Sequence, residues 1–254
     1  MTPLVARILV TRAANQAAPL ADALRAVGLE PVVVPAIAVQ LDARDRSASA
    51  PAPILDANGW VVVTSANGAR AILAASARTS RRGGGPRFAA VGAATASVLE
   101  RAGMSVDFQP SAANAGALAE ELPVQPGEAV LLVRGDAAGG SLPERLRARG
   151  ARVTDVVGYR TIEAPPRSRA LLRQAFDAGR PDGVVLASGS AARGLVALGR
   201  IEHLDVTSVP AVCIGPETAG EAFANGFHVA ATAPRRDMAS LAAATAAAVR
   251  LEEP

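Results

Sequence analysis

The chain has 254 residues, half of them hydrophobic, with 26 basic and 23 acidic side chains and a formal charge of +3. It contains no lysine, which excludes a Schiff base, a pyridoxal-phosphate anchor and a P-loop lysine. Its one cysteine, Cys213, excludes an intrachain disulfide and reads as a small buried hydrophobe.

The N-terminus, MTPLVARILVTR, has only short apolar runs broken by Arg7 and Arg12, unlike a signal peptide. No apolar run approaches bilayer length, and a soluble cytoplasmic protein is expected. ILVTR predicts a strand, followed by a helix through Leu24, a turn at Gly28 and a second strand, VVVP. WVVVTS predicts a strand, with a helix through Ala75 after it. FAAVG is next, then a helix through Ala102, a short strand at Val106 and a helix over 115–122. The second half runs AVLLVRG, a helix to Arg149, VTDVVGYRT, GVVLAS, AVCIG, VAAT and a C-terminal helix. DARDRSASAPAP (42–53) and ARTSRRGGGPR (77–87) read as exposed loops.

The two halves repeat each other. GWVVVTSANGARAIL (59–73) matches DGVVLASGSAARGLV (182–196) at an offset of 123. The same offset carries Gly92 onto Gly215, Thr95 onto Thr218, Gly103 onto Gly226 and Leu118 onto Leu241. Earlier in each half the offset is 122, pairing Arg12 with Arg134, Leu24 with Leu146 and Gly28 with Gly150. Short strands apolar throughout are buried on both faces, as in parallel sheets. Two similar doubly wound α/β domains with parallel sheets are therefore expected.

In such sheets, ligands bind beyond the carboxyl ends of the strands. Those ends carry Thr11-Arg12, Thr64-Ser65-Ala66, Arg134-Gly135, Ser188-Gly189-Ser190, Gly92 with Thr95, and Gly215 with Thr218. Most precede helices, whose free N–H groups suit carboxylates or phosphates. Two readings stand for each: an ordinary helix cap or a ligand contact. Arg12 and Arg134 read either as surface ion pairs or as bidentate carboxylate binders. The arginines are scattered among acids, which reads as solvated surface and not as a nucleic-acid stripe. His203 and His228 have no metal-ligand spacing. Neither a metal nor a cofactor is expected.

The motif order resembles the uroporphyrinogen-III synthase family over nearly the whole chain. The residues that carry it are ILVTR with Gln16, GLEPVVVP (28–35), WVVVTSANG, AVGAAT with LERAG, VLLVRGD, VVGYRT, GVVLASGSA and AVCIGPETAG. The resemblance implies flavodoxin-like domains that each borrow from both copies: 1–35 plus 163–254, and 40–157. Residues 36–39 and 158–162 would be linker strands. It implies closure of hydroxymethylbilane, with ring D inverted and water lost. The cleft would be lined by Arg12, Thr64, Ser65, Ala66, Gly92, Thr95, Arg134, Ser188, Gly189, Ser190 and Thr218. No cofactor is implied, and binding is expected to be spread over many groups.

Tyr159, the only tyrosine, would lie beside that cleft. It reads either as a strand aromatic packed at the linker or as the donor to the departing hydroxyl. A monomer receiving its substrate from hydroxymethylbilane synthase, without nucleic acid or membrane, is expected. The alternative is a two-domain cytoplasmic binding protein for small polycarboxylates. A flavin carrier would want flanking aromatics, and aromatics are only 3% of the chain.

Overall fold

The computed structural model describes residues 5–41, 59–76 and 85–251. The expected loop at 42–53 and the paired Arg81-Arg82 lie outside the described residues, as does the loop at 77–87 up to residue 84. The chain divides into two compact units, Met1–Ala38 with Ile162–Pro254, and Val39–Thr161.

The first unit starts with strand β1 (Arg7–Val10). A single 3-10 turn (Ala14–Gln16) leads into helix α1 (Ala18–Ala26), which has a proline in its first turn, where no N–H is needed. Gly28, at φ +83°, reverses the chain into β2 (Glu30–Val33). Strand β3 (Ile37–Leu41) follows, and the unit boundary falls inside it.

The second unit continues with β4 (Trp60–Val63), α2 (Ala66–Ser76), β5 (Arg87–Ala90), α3 (Ala93–Glu100) and α4 (Ala115–Glu121). Then come β6 (Ala129–Gly135), α5 (Leu142–Ala148) and β7 (Arg152–Glu163). VVGYRT is interior to β7, a single strand of 12 residues in which the chain passes back to the first unit. That unit is completed by α6 (Ser168–Asp177), β8 (Gly183–Leu186), α7 (Gly189–Glu202), β9 (Ala211–Cys213), α8 (Pro216–Ala224), β10 (Val229–Thr232) and α9 (Met238–Leu251).

One sheet has the order β10-β9-β8-β1-β2 and the other β3-β7-β6-β4-β5. The pairs β1·β2, β1·β8, β8·β9 and β9·β10 are parallel, as are β4·β5, β4·β6 and β6·β7. The repeat makes this order intelligible. Strands β6, β7, β8 and β9 of the second copy correspond to β1, β2, β4 and β5 of the first. Each sheet therefore joins the first two strands of one copy to the later strands of the other. In both, the order reverses where the copies meet, at β1·β8 and at β6·β4.

Alternate strand residues face opposite ways, and helices cover both faces. In the first unit Leu9, Val184, Leu186 and Cys213 share a core with Leu172, Leu195 and Leu198 of α6 and α7. Ile8, Val10, Val185 and Val212 face Leu20 and Leu24 of α1 and Leu241 of α9. In the second unit Val62, Val130 and Leu132 pack on Leu118 of α4 and Leu142 and Leu146 of α5. Val61, Val63, Leu131 and Val133 pack on Ala69 and Ile72 of α2 and Leu99 of α3. Each buried Leu or Val contributes about 1.5–3 kcal/mol from area alone. Cys213 is fully buried, and desolvation pushes its thiol up to about 11, so it stays protonated at neutral pH.

One expected element is absent. No strand forms at Val106; a single bridge joins Phe108 to Ala89. The Asp107 carboxylate accepts the Phe88 N–H at 2.7 Å, which removes that donor from a ladder. Pro110, two residues after the bridge, has no N–H to extend it. The corresponding segment of the other copy forms β10.

Candidate functional site

In the second unit the chemistry gathers at the carboxyl ends of β4, β6 and β7. Thr64 and Ser65 leave β4, and Ser65 caps α2: its Oγ accepts the Gly68 N–H at 3.1 Å. The same Oγ donates to the Tyr159 hydroxyl at 3.0 Å. Tyr159 starts from β7, two strands away from β4. Its ring crosses β6 at Gly135, where an added Cβ would lie 2.8 Å from Cζ and 2.9 Å from the hydroxyl. The register explains the crossing. Arg134 pairs with Val157 and Gly135 with Tyr159, so Gly158 is an extra residue on β7. A bulge of this kind re-aims the side chain that follows it. Tyr159 is half-buried.

Ala66 is the first residue of α2. Gly92 caps α3 with an extended backbone, φ −157°. Thr95, in the first turn of α3, is only 5% exposed, which leaves little of it for a ligand. Arg134 is committed within its own unit. It forms a bidentate pair with Asp155, and its Nη1 donates to Ala138 O at 3.2 Å and Gly139 O at 3.4 Å. Its structural work is to tie the segment after β6 to β7.

The first unit repeats the pattern with different partners. Arg12 follows β1 and donates to Met238 Sδ at 2.9 Å and to Gln16 Oε1 at 3.4 Å. Beside it, the buried Thr11 hydroxyl donates to Val185 O at 2.8 Å, a fold contact between β1 and β8. Ser188 caps α7 by accepting the Ala191 N–H at 3.2 Å, and its Oγ lies 3.0 Å from that of Ser190. Gly189 has no room for a side chain, because a Cβ would meet Glu221 Cγ at 2.7 Å. Thr218 is buried in the first turn of α8, as Thr95 is in α3.

Acids share this edge. Arg193 donates to Glu163 at 2.9 Å and to Glu221 at 2.8 Å, and the bond to Glu163 first, then that to Glu221, raises its pKa above the ordinary arginine range. Arg236 donates to Glu217 at 2.6 Å. His203 and His228 are exposed. No group of three or more metal-ligating side chains occurs among the described residues.

The structure thus sorts the expected site residues into two sets. Thr64, Ser65, Ala66, Gly92, Thr95, Arg134 and Tyr159 belong to the second unit. Arg12, Ser188, Gly189, Ser190 and Thr218 belong to the first. Sequence reasoning missed Asp155, which neutralises Arg134, and the contribution of Gly135 and Gly158 to placing Tyr159. No local signal marks any of these, because each depends on the β6·β7 register.

The family model described as "Uroporphyrinogen-III synthase HemD" matches residues 18–243. The chain belongs to the uroporphyrinogen-III synthase family. Members of this family are cyclising lyases of tetrapyrrole synthesis. Among its relatives, the uroporphyrinogen-III synthase of Chlorobaculum parvum is 28% identical over 250 residues, covering 96% of this chain and 99% of that protein. The porphyrin biosynthesis protein HemD of Ruminiclostridium josui is 27% identical over 218 residues. That match covers 84% of this chain but only 43% of the longer relative. A mutant uroporphyrinogen III synthase from Thermus thermophilus aligns with TM-score 0.63 at 18% identity, over 98% of this chain and 100% of that one. The Helicobacter pylori enzyme aligns with TM-score 0.59 at 15% identity, with the same coverage. At these identities the structural likeness speaks for the two-unit α/β fold with parallel sheets, and for nothing finer.

Proposed function

We propose that this member of the uroporphyrinogen-III synthase family converts hydroxymethylbilane to uroporphyrinogen III, with Tyr159 as the group that assists departure of the hydroxyl. The units act as flavodoxin-like domains, 1–35 plus 163–254 and 40–157, with 36–39 and 158–162 as linker strands. The protein works as a cytoplasmic monomer supplied by hydroxymethylbilane synthase. The observation that carries the catalytic part is the position of the Tyr159 hydroxyl. It stands at the carboxyl ends of β6 and β4, where the strand order of its sheet reverses, within 3.0 Å of Ser65. Ligands of parallel sheets bind at such reversals.

The chemistry asks little else of the protein. The leaving hydroxyl takes the phenol's proton and departs as water, ring A gives up its pyrrole N–H proton, which restores the phenol, and an electrophilic azafulvene remains. Attack from a substituted carbon of ring D gives a spiro intermediate, whose rearrangement inverts the ring. A neutral phenol can donate at neutral pH. The substrate's acetate and propionate groups suit the helix N-termini after β4, β5, β8 and β9, with Arg12, Ser188 and Ser190 as side-chain donors. Thr64, Ala66, Gly92, Gly189 and Thr218 contribute through backbone N–H groups, and Arg134 through the segment it ties to β7, while Thr95, whose N–H goes to Gly92 O at 2.9 Å, holds the first turn of α3 in place. Orientation of the reacting ends supplies most of the remaining advantage.

The test is incubation with enzymatically generated hydroxymethylbilane, then oxidation and separation of the porphyrin isomers. The type III isomer is expected, and type I alone, at the spontaneous rate, refutes the proposal. Tyr159→Phe keeps the ring and removes the donor. Its kcat should fall roughly ten- to a hundredfold, because water substitutes in part. An unchanged kcat would assign Tyr159 to packing.

A further inference from the structure

We infer that Ser65, Gly135 and Gly158 form a positioning device for the Tyr159 hydroxyl, and that Ser65 acts on the reaction through Tyr159 and not as a substrate ligand. The inference rests on the proposed role of Tyr159 and deepens it.

Ser65 has one proton and two lone pairs. One lone pair receives the Gly68 N–H at 3.1 Å, and the proton goes to Tyr159 at 3.0 Å. Because the cap anchors the serine oxygen to the first turn of α2, the bond holds the phenol oxygen against a rigid element. It also settles the phenol's own proton. An oxygen that accepts from Ser65 turns its O–H away from Ser65, so the donor remains available for another acceptor.

The two glycines make the approach possible. At Gly135 a methyl would occupy the place of the ring, 2.8 Å from Cζ. At Gly158 a methyl would lie 2.5 Å from Val133 Cγ1 and 3.2 Å from Ala71 Cβ, which would push β7 away from β6 and α2. The bulge at Gly158 then brings Tyr159 opposite Gly135, the one partner in β6 without a side chain. The other unit has no such arrangement. Leu24 aligns with Leu146 and Gly28 with Gly150, but at the offset of 122 Gly135 corresponds to Ala13 and Tyr159 to Ile37.

The test uses the full-length protein and double-mutant comparison. Ser65→Ala should lower kcat about tenfold with KM for hydroxymethylbilane nearly unchanged, and Ser65→Thr should restore kcat. Gly135→Ala keeps the helix cap, and only the far end of the Tyr159 ring must shift. It should fold and lower kcat by a similar factor, so it serves even if Ser65→Ala is unstable. In a Tyr159→Phe background neither change should lower kcat further. As a direct readout, the chain has one tyrosine, so tyrosine labelled with 13C at Cζ gives one resonance. That resonance should move in Ser65→Ala and Gly135→Ala and stay in place in Ser188→Ala.

Losses that multiply on the Tyr159→Phe background, or a resonance unmoved by both changes, overturn the inference and leave the reading of Tyr159 intact. Full activity of Tyr159→Phe overturns that reading and the inference with it.

Discussion

At the start of α2, Ser65 accepts a helix N–H and donates to Tyr159; at the start of α7, Ser188 accepts a helix N–H and meets Ser190. Beyond these two serines, matched positions share their backbone roles. Gly92 and Gly215 both cap the next helix in an extended conformation. Gly103 and Gly226 both end a helix at positive φ, +77° and +89°. Thr95 and Thr218 are equally buried. The side chains facing outward differ. Arg70 donates to Asn67, whereas Arg193 bridges Glu163 and Glu221. Duplication has kept what the fold needs in both units and concentrated a phenol, its orienting hydroxyl and its clearing glycines in one. Shared caps thus describe the scaffold, and the divergent contacts are where the chemistry should be sought.

This comparison can be broken by changes that fall on matched positions. The largest effect is expected in the cores. Leu118 and Leu241 are both fully buried and correspond in the repeat. Leu118→Ala and Leu241→Ala should each cost about 2–5 kcal/mol. Hydrogen exchange should show each loss in its own unit. A tolerated change at one position and unfolding at the other would show that the copies no longer share a core design.

A smaller, matched effect is expected at the helix ends. At Gly103 an added Cβ meets nothing within 4 Å, and at Gly226 its nearest contact is Thr207 at 3.7 Å. The cost of alanine is therefore that of the left-handed backbone, about 1 kcal/mol at each site. Urea unfolding would measure both, and a clear inequality would mean that one turn has relaxed into another conformation.

The smallest effect is confined to one unit. Glu202, at the end of α7, is buried and holds Arg169 at 2.6 Å and Arg173 at 2.5 Å, which ties α6 to α7. The hydrogen bond from Arg169 first, then that from Arg173, keeps its carboxyl below the usual range. A depressed folded pKa gives stability that is present above the ordinary glutamate value, about 4.3, and is lost as pH falls through the folded value. Glu202→Gln should therefore lower Tm at neutral pH, with the gap to wild type closing in acid. The matching residue of the other copy is Thr79, so no such acid sensitivity is expected from that position. A gap that persists at low pH would mean packing, and not charge, is what Glu202 supplies.

Much of the scaffold was legible because its causes are local. Four-residue apolar runs such as WVVV and GVVL became strands buried on both faces. Gly28 marked a turn because φ near +83° strains any residue with a side chain, and its repeat partner Gly150 has φ +87°. The strand expected at Val106 failed for one reason close by, Pro110, and one that only the fold supplies: Asp107 reaches back to Phe88. The candidate site was legible as a set of strand ends, but not residue by residue. Arg134 read either as a surface ion pair or as a carboxylate binder, and only the structure shows that Asp155 fills its fork.

What the sequence determined by itself was the repeated unit, with its strands, caps and left-handed glycines, since each follows from a few consecutive residues and their backbone preferences. The tertiary structure alone decided that Tyr159 meets Ser65 across Gly135, and it gave the register of the strands that the copies exchange. Those outcomes depend on which strands pair and in what register. Shifting β7 by one residue along β6 would carry every side chain to the opposite face and take the phenol away from its serine.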